Sequence, residues 1–176
     1  SIDETGAHIA LGTIPGTARC QMASDSTRLI IVTGATPYRY TVADGLEAIT
    51  DPDLVEPTCV AYINSQFVFD NNNGTWGEFV TSSIEAGLAV DALDFATAES
   101  HPDDITAIIA YRQLVYFFGS HSVEPWSNTG TGNPPFARAS SGVRPFGVAG
   151  RDAVLTTTEY IYFLDHQLIP RRSNGL

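Results

Sequence analysis

The chain has 176 residues, 43% of them hydrophobic and 16% charged, and its mean hydropathy is near zero. That is one domain's length with enough apolar content for a core, and it excludes general disorder, which requires low hydrophobicity and high charge density. Twenty acidic residues oppose nine basic ones, all arginine, for a net charge of −11; an acidic body argues against nonspecific nucleic-acid binding, which runs on phosphate neutralisation.

In chain order, the signals are those of strands. Val, Ile, Thr, Tyr and Phe gather in short runs, and Gly, Pro, Asn, Asp and Ser fill the gaps. Strands are expected at Arg28–Thr33, Tyr38–Val42, Thr58–Ile63 and Phe67–Phe69, followed by a turn over Asp70–Gly74, where Asn, Asp and Gly tolerate left-handed backbone. The segment Ile84–Phe95 has the apolar content of a helix, but Gly87 weakens it, and loop plus strand is the better reading. Further strands are expected at Ile105–Ala110, Leu114–Phe118, Ala153–Thr157, Tyr160–Leu164 and Gln167–Ile169, with a loop at Asn128–Pro135 that Pro134 and Pro135 keep out of helix and central strand. No run of about eighteen apolar residues exists to span a membrane as a helix, and no signal-peptide pattern opens the chain.

Three segments align. Cys59–Phe69, Thr106–Tyr116 and Asp152–Tyr162 each read as an apolar strand, a short polar turn and an aromatic-rich strand, with the turns ending at Gln66, Gln113 and Glu159, 47 and 46 residues apart. A hairpin repeating at that spacing is the pattern of β-propeller blades, of about four strands each. One blade cannot bury both faces, so blades stack around an axis. The chain holds about 3.7 such repeats, below the usual four to eight blades of a closed ring. The expectation is therefore an all-β chain of antiparallel blades, residues 1–176 forming a single domain that is an excised segment of a larger propeller; its start at Ser1 rather than Met agrees with a cut piece. A β-sandwich is the alternative, since it uses the same strand lengths and turn spacing.

Motifs that would carry chemistry are weak. Cys20 and Cys59 lie 39 residues apart, outside any metal-binding spacing, and read as two free thiols. Asp70–Gly74 misses the calcium-loop spacing by one position. His8, His101, His121 and His166 have no i,i+4 pairing; Glu99, His101, Asp103 and Asp104 could hold a metal but read better as a loop around Pro102. Gly119-Ser-His-Ser122 is not a nucleophile elbow, Asp165-His166 lacks a nucleophile, and Gly130-Thr-Gly132 lacks the setting of a phosphate loop. No catalytic, metal or cofactor residues are assigned, and a scaffold or binding protein is expected rather than an enzyme.

A family resemblance enters at Leu93-Asp-Phe-Ala-Thr-Ala-Glu-Ser-His-Pro-Asp-Asp104, which resembles a segment of the packaged DNA stabilisation proteins of short-tailed phages. Leu114–Gly130, with Phe118-Gly119, Glu124, Trp126 and Asn128-Thr-Gly130, is similar to the next strand and loop of that family, and Pro135-Phe-Ala-Arg138 to its following step. Ser141–Ala149 and Tyr160–Leu164 fall where the family has a glycine-bearing strand and a closing hairpin. The match covers about residues 60–170, and Pro125 departs from it, which implies a bulge or an edge position there.

The resemblance implies a propeller-like hub in the virion tail, below the portal ring and its adaptor, that helps close the channel and retain packaged DNA. It implies contacts with the portal adaptor, a needle or plug and the tailspikes, a homo-oligomer around the tail axis, indirect contact with DNA through the channel, and no membrane. No catalytic residues belong to the family. Two uses of the charge follow. The acids, concentrated to a net −13 in residues 1–125 against +2 in residues 126–176, could line a DNA channel; Arg138, Arg144 and Arg151 could form a subunit interface. The alternatives are a carbohydrate-binding or glycan-active propeller, with Glu78, Glu99 and Asp104 as first candidates, and a surface interaction module.

Overall fold

The computed structural model describes residue 6 and residues 8–83, 89–98, 103–140 and 142–173. Every regular element among them is a β-strand. Fifteen strands form four separate antiparallel sheets, each built from consecutive strands. Blade one contains β1 (Gln21–Ser24), β2 (Arg28–Val32), β3 (Tyr38–Thr41) and β4 (Gly45–Ala48). Blade two contains β5 (Val60–Ile63), β6 (Gln66–Asp70), β7 (Glu78–Ser82) and β8 (Val90–Thr97). Blade three contains β9 (Ala107–Tyr111), β10 (Leu114–Phe118), β11 (Val123–Asn128) and β12 (Phe136–Arg138); blade four has three strands, β13 (Val154–Thr156), β14 (Ile161–Leu164) and β15 (Pro170–Ser173).

The first strands of successive blades lie side by side, β1 against β5, β5 against β9 and β9 against β13. This is propeller geometry, and it decides against a sandwich, in which two sheets share one core. Three apolar cores result, one between each pair of neighbours. Ile30 and Val32 of blade one meet Val60, Phe67 and Phe69 of blade two. Val68 and Phe79 of blade two meet Ile108, Val115, Phe117 and Trp126 of blade three, with Phe79 stacked on Phe117 at 4.3 Å and edge-on to Trp126 at 5.1 Å. Tyr116 and Phe118 of blade three meet Ile161 and Phe163 of blade four. The aromatic second strands of blades two and three thus bury both their faces, which is why β6 and β10 read as nearly unbroken apolar runs.

The repeat seen in the sequence is also the spacing of the blade-to-blade hydrogen bonds. Cys59 Sγ donates to the carbonyl of Thr106 and the Tyr111 hydroxyl to that of Thr158, each 47 residues onward. The β5–β6 and β9–β10 hairpins turn through Asn64-Ser65 and Arg112-Gln113, all four at positive φ, as two-residue hairpin turns require. Among the described residues no apolar core joins blade one to blade four; an ion pair between Arg19 and Asp152 links their entries, so the four blades form an arc.

Two strand expectations are corrected. Gln167–Ile169 is a turn, because the Asp165 carboxylate accepts the N–H groups of Gln167 and Ile169 at 2.9 and 2.8 Å; the strand begins at Pro170. Pro125 lies in β11, an interior strand. Its carbonyl accepts from Ala139 N, just past the end of β12, so its missing donor faces a place where the ladder has already ended. In Ile84–Phe95, residues 84–88 lie outside the described residues, and the strand half is present as β8.

The β1–β2 turn gives a pH prediction. Burial alone would raise the Asp25 carboxyl, but the Arg28 guanidinium, the N–H groups of Arg28 and Thr27 and the Thr27 hydroxyl outweigh it and hold the group at about 2. The folded value lies below the ordinary value of 3.8, so the stabilisation is complete above that value and is lost as pH falls through about 2. Thermal midpoints measured from pH 5 to 2 should therefore fall less steeply in Asp25→Asn than in the parent; parallel slopes would contradict this.

Candidate attachment cleft

The sequence positions with chemical potential are mostly absorbed by the framework. Blades two to four each bury a carboxylate at the end of the second strand. Asp70, at the end of β6, accepts from the N–H groups of Thr58 and Cys59 at 2.8 and 2.6 Å and from the Thr58 hydroxyl, tying β6 to the chain entering β5. Burial pushes this carboxyl up against the pull of those donors. Asp165, after β14, shapes the turn above and pairs with Arg171 at 2.6 Å; burial opposes its ionisation, but the Ile169 and Gln167 N–H groups and Arg171 hold it below the ordinary value. In blade three the equivalent residue is Gly119, and the carboxylate comes from Asp103 instead. A Cβ on Gly119 would lie 2.2 Å from Asp103 Oδ2, so glycine is what admits it. Asp103 then accepts from His121 N at 2.7 Å.

These roles use up several candidates. The Glu78 carboxylate accepts from Asn71 and Asn73 at 2.7 and 2.6 Å and closes the Asp70–Gly74 turn. Asp104 is exposed, and Glu99 and His101 lie outside the described residues. The His121 and His166 rings sit 5.3 Å apart across blades three and four. Among the described residues no three His, Cys, Asp or Glu are grouped to hold a metal ion. Cys20 is an exposed free thiol; Cys59 is buried and free, pushed up to about 12 by burial and then by Asp70. The innermost strands β1, β5, β9 and β13 carry no Asp or Glu, so these four strands bring no acidic charge to the axis of the arc.

The arginines separate. Arg138 donates to the Glu124 carboxylate at 2.9 Å and lies over the Trp126 ring; Glu124 is 1% exposed and also accepts from Trp126 Nε1 at 3.2 Å. Arg151 reaches from the entry of blade four to the Thr58 carbonyl at the entry of blade two. Arg144 is exposed and has no side-chain partner among the described residues. Its backbone exchanges two hydrogen bonds with Val123, both 3.0 Å. That bridge stitches the segment between β12 and β13 onto blade three and places Arg144 at the rim of a cleft of about 320 Å³ between blades three and four. The cleft floor is Tyr116, Phe118, Val123, Ile161 and Phe163, and its far wall is Arg171, stacked on Phe146 at 4.1 Å. The resemblance drew attention to this stretch but not to the cleft, because nothing in local spacing shows that Val123, Arg144 and Phe163 meet.

A family model described as Bacteriophage P22 Gp10, beta-propeller, matches residues 1–169. No curated protein sequence matches the chain. Among solved structures it is similar to the computationally designed Ika4 protein, with a TM-score of 0.60, 14% identity, and coverage of 96% of this chain and 99% of that one. It is also similar to Kluyveromyces lactis Hsv2 (TM-score 0.58, 9% identity, 92% of this chain and 50% of that one) and to BamB from Moraxella catarrhalis (TM-score 0.54, 10% identity, 87% and 45%). At such identities the likeness is one of fold. The chain spans about half the length of the Hsv2 and BamB chains.

Proposed function

The chain belongs to the Bacteriophage P22 Gp10 β-propeller family, a phage structural protein, and on that premise we propose that it is a tail hub that helps close the portal channel and retain packaged DNA in the virion. The observation that carries this reading is the family match across residues 1–169. The physical form suits the task. Three interlocked apolar cores make a stiff arc, and the loops at the blade rims are free to meet neighbours. On this reading the protein acts by assembly rather than catalysis, as a homo-oligomer touching the portal adaptor, the needle or plug and the tailspikes, with DNA met only indirectly and no membrane involved. Residues 1–176 are then one all-β segment of a larger hub. Blade four supports that: its outward face carries Leu155, Tyr162 and Leu164, exposed by 64%, 39% and 39%, opposite the buried Ile161 and Phe163. A further blade of the same polypeptide would cover that face.

The test is on particles. Mass spectrometry of purified virions should find the tryptic peptide Gln113–Arg138, and particles made without the gene should package DNA and then lose it. Intact, DNA-filled particles lacking the protein would overturn the proposal.

A further inference from the structure

We propose that the cleft between blades three and four is a docking site for a peptide segment of a partner protein that carries an apolar side chain next to a carboxylate. The observation is one juxtaposition: an aromatic and aliphatic floor with two cations, Arg144 and Arg172, at its rim that no carboxylate among the described residues pairs. Tyr116, Phe118, Val123, Ile161 and Phe163 line a space of about 320 Å³, with Arg144, Arg171, Arg172 and Ser173 around them. That volume is at the small end of the ~300–1,000 Å³ range of ligand pockets, the size of a peptide anchor rather than of a large cofactor.

Charge selects the partner. The Asp165 carboxylate balances Arg171, which leaves Arg144 and Arg172, the latter over the Tyr160 ring at 4.4 Å, as the cleft cations that no carboxylate among the described residues pairs. A positive rim on a chain of net charge −11 is a local inversion. It favours an anionic group placed beside the apolar anchor. The cleft is also preformed. The two-way backbone bridge between Val123 and Arg144 fixes one wall, and the stack of Arg171 on Phe146 fixes the other, so little ordering is left to oppose binding.

The inference rests on reading the chain as an attachment protein, but its test needs no virion. The probe is a fluorescein-labelled peptide Gly-Asp-Phe-Glu-Gly, titrated against the 176-residue chain and followed by anisotropy. Saturable binding is expected at low salt. It should weaken by about tenfold or more when Phe is replaced by Ala in the peptide, when both acids are replaced by Lys, and in Arg144→Glu, whose exposed side chain can be reversed with the thermal midpoint unchanged. A second variant, Ser173→Phe, fills the cleft without altering charge and should abolish binding. No binding at about 1 mM peptide, equal affinity for the Lys peptide, or an unaffected Arg144→Glu chain would overturn the proposal. So would a dimer of the chain that Arg144→Glu dissociates, because the occupant would then be a second copy. If the peptide binds while the protein is absent from particles, the cleft stands and the virion reading fails; the converse result fails only the cleft.

Discussion

Gly147→Ala will lower stability by about 3 kcal/mol, at the upper end of what overpacking costs. A Cβ at this position would lie 1.8 Å from both the carbonyl carbon and oxygen of Ser120 and 2.2 Å from His121 N. All three are backbone atoms, so no side chain can rotate away. The strand-like segment holding Gly147 is tied on both sides, by Val148 N to the Gly119 carbonyl and by Ala149 N to the Leu164 carbonyl, both 2.9 Å. The methyl group must therefore break one of the bonds that join blade four to blade three. Gly150→Ala is the internal control: nothing lies within 4 Å of its Cβ, and its φ is not in the left-handed region. Urea denaturation should place Gly150→Ala within about 0.5 kcal/mol of the parent. A Gly147→Ala loss below about 1 kcal/mol would show that the segment does not pack as described.

Glu124→Ala is the second large effect, at about 2–3 kcal/mol. The carboxylate is 1% exposed, and its removal strands the Trp126 indole N–H inside the core between blades two and three. Breaking a buried ion pair costs about 3–5 kcal/mol. Here the loss is smaller, because the Arg138 side chain is 41% exposed and can turn to water. Glu124→Gln keeps an acceptor for the indole and should cost about half as much. A double-mutant cycle with Arg138→Met reads the pair directly, and a coupling near zero would mean that Arg138 is bound mainly through its place over the Trp126 ring. It follows that charge reversal at Arg138 disturbs the fold, whereas reversal at Arg144 tests a surface.

The strands that sequence made legible are those whose information is local. Hairpins β5–β6, β9–β10 and β13–β14 combine β-branched or aromatic runs with a short turn, and their spacing of about 47 residues survives as a spacing of hydrogen bonds between blades. The strands that escaped notice are β1, β4, β7, β12 and β15, outer and inner alike. β4 and β12 are short and largely exposed, only Phe136 of the latter reaching a core, so their residues carry little alternation to read. Gln167–Ile169 misled because its apolar residues suit a strand, whereas the carboxylate of Asp165 captures its N–H groups first.

The site was less legible than the fold. Arg138, Arg144 and Arg151 looked alike as free cations in an otherwise acidic chain. Only the folded chain distinguishes them, because Glu124 meets Arg138 across neighbouring strands and the Thr58 carbonyl meets Arg151 over a separation of 93 residues. Composition, strand chemistry and repeat length by themselves determined an all-β, blade-built chain, since these depend on neighbours a few residues apart. Which carboxylates close each blade, which arginine stays free and where a cleft opens were decided by tertiary structure, because each depends on groups brought together by the stacking of one blade on the next.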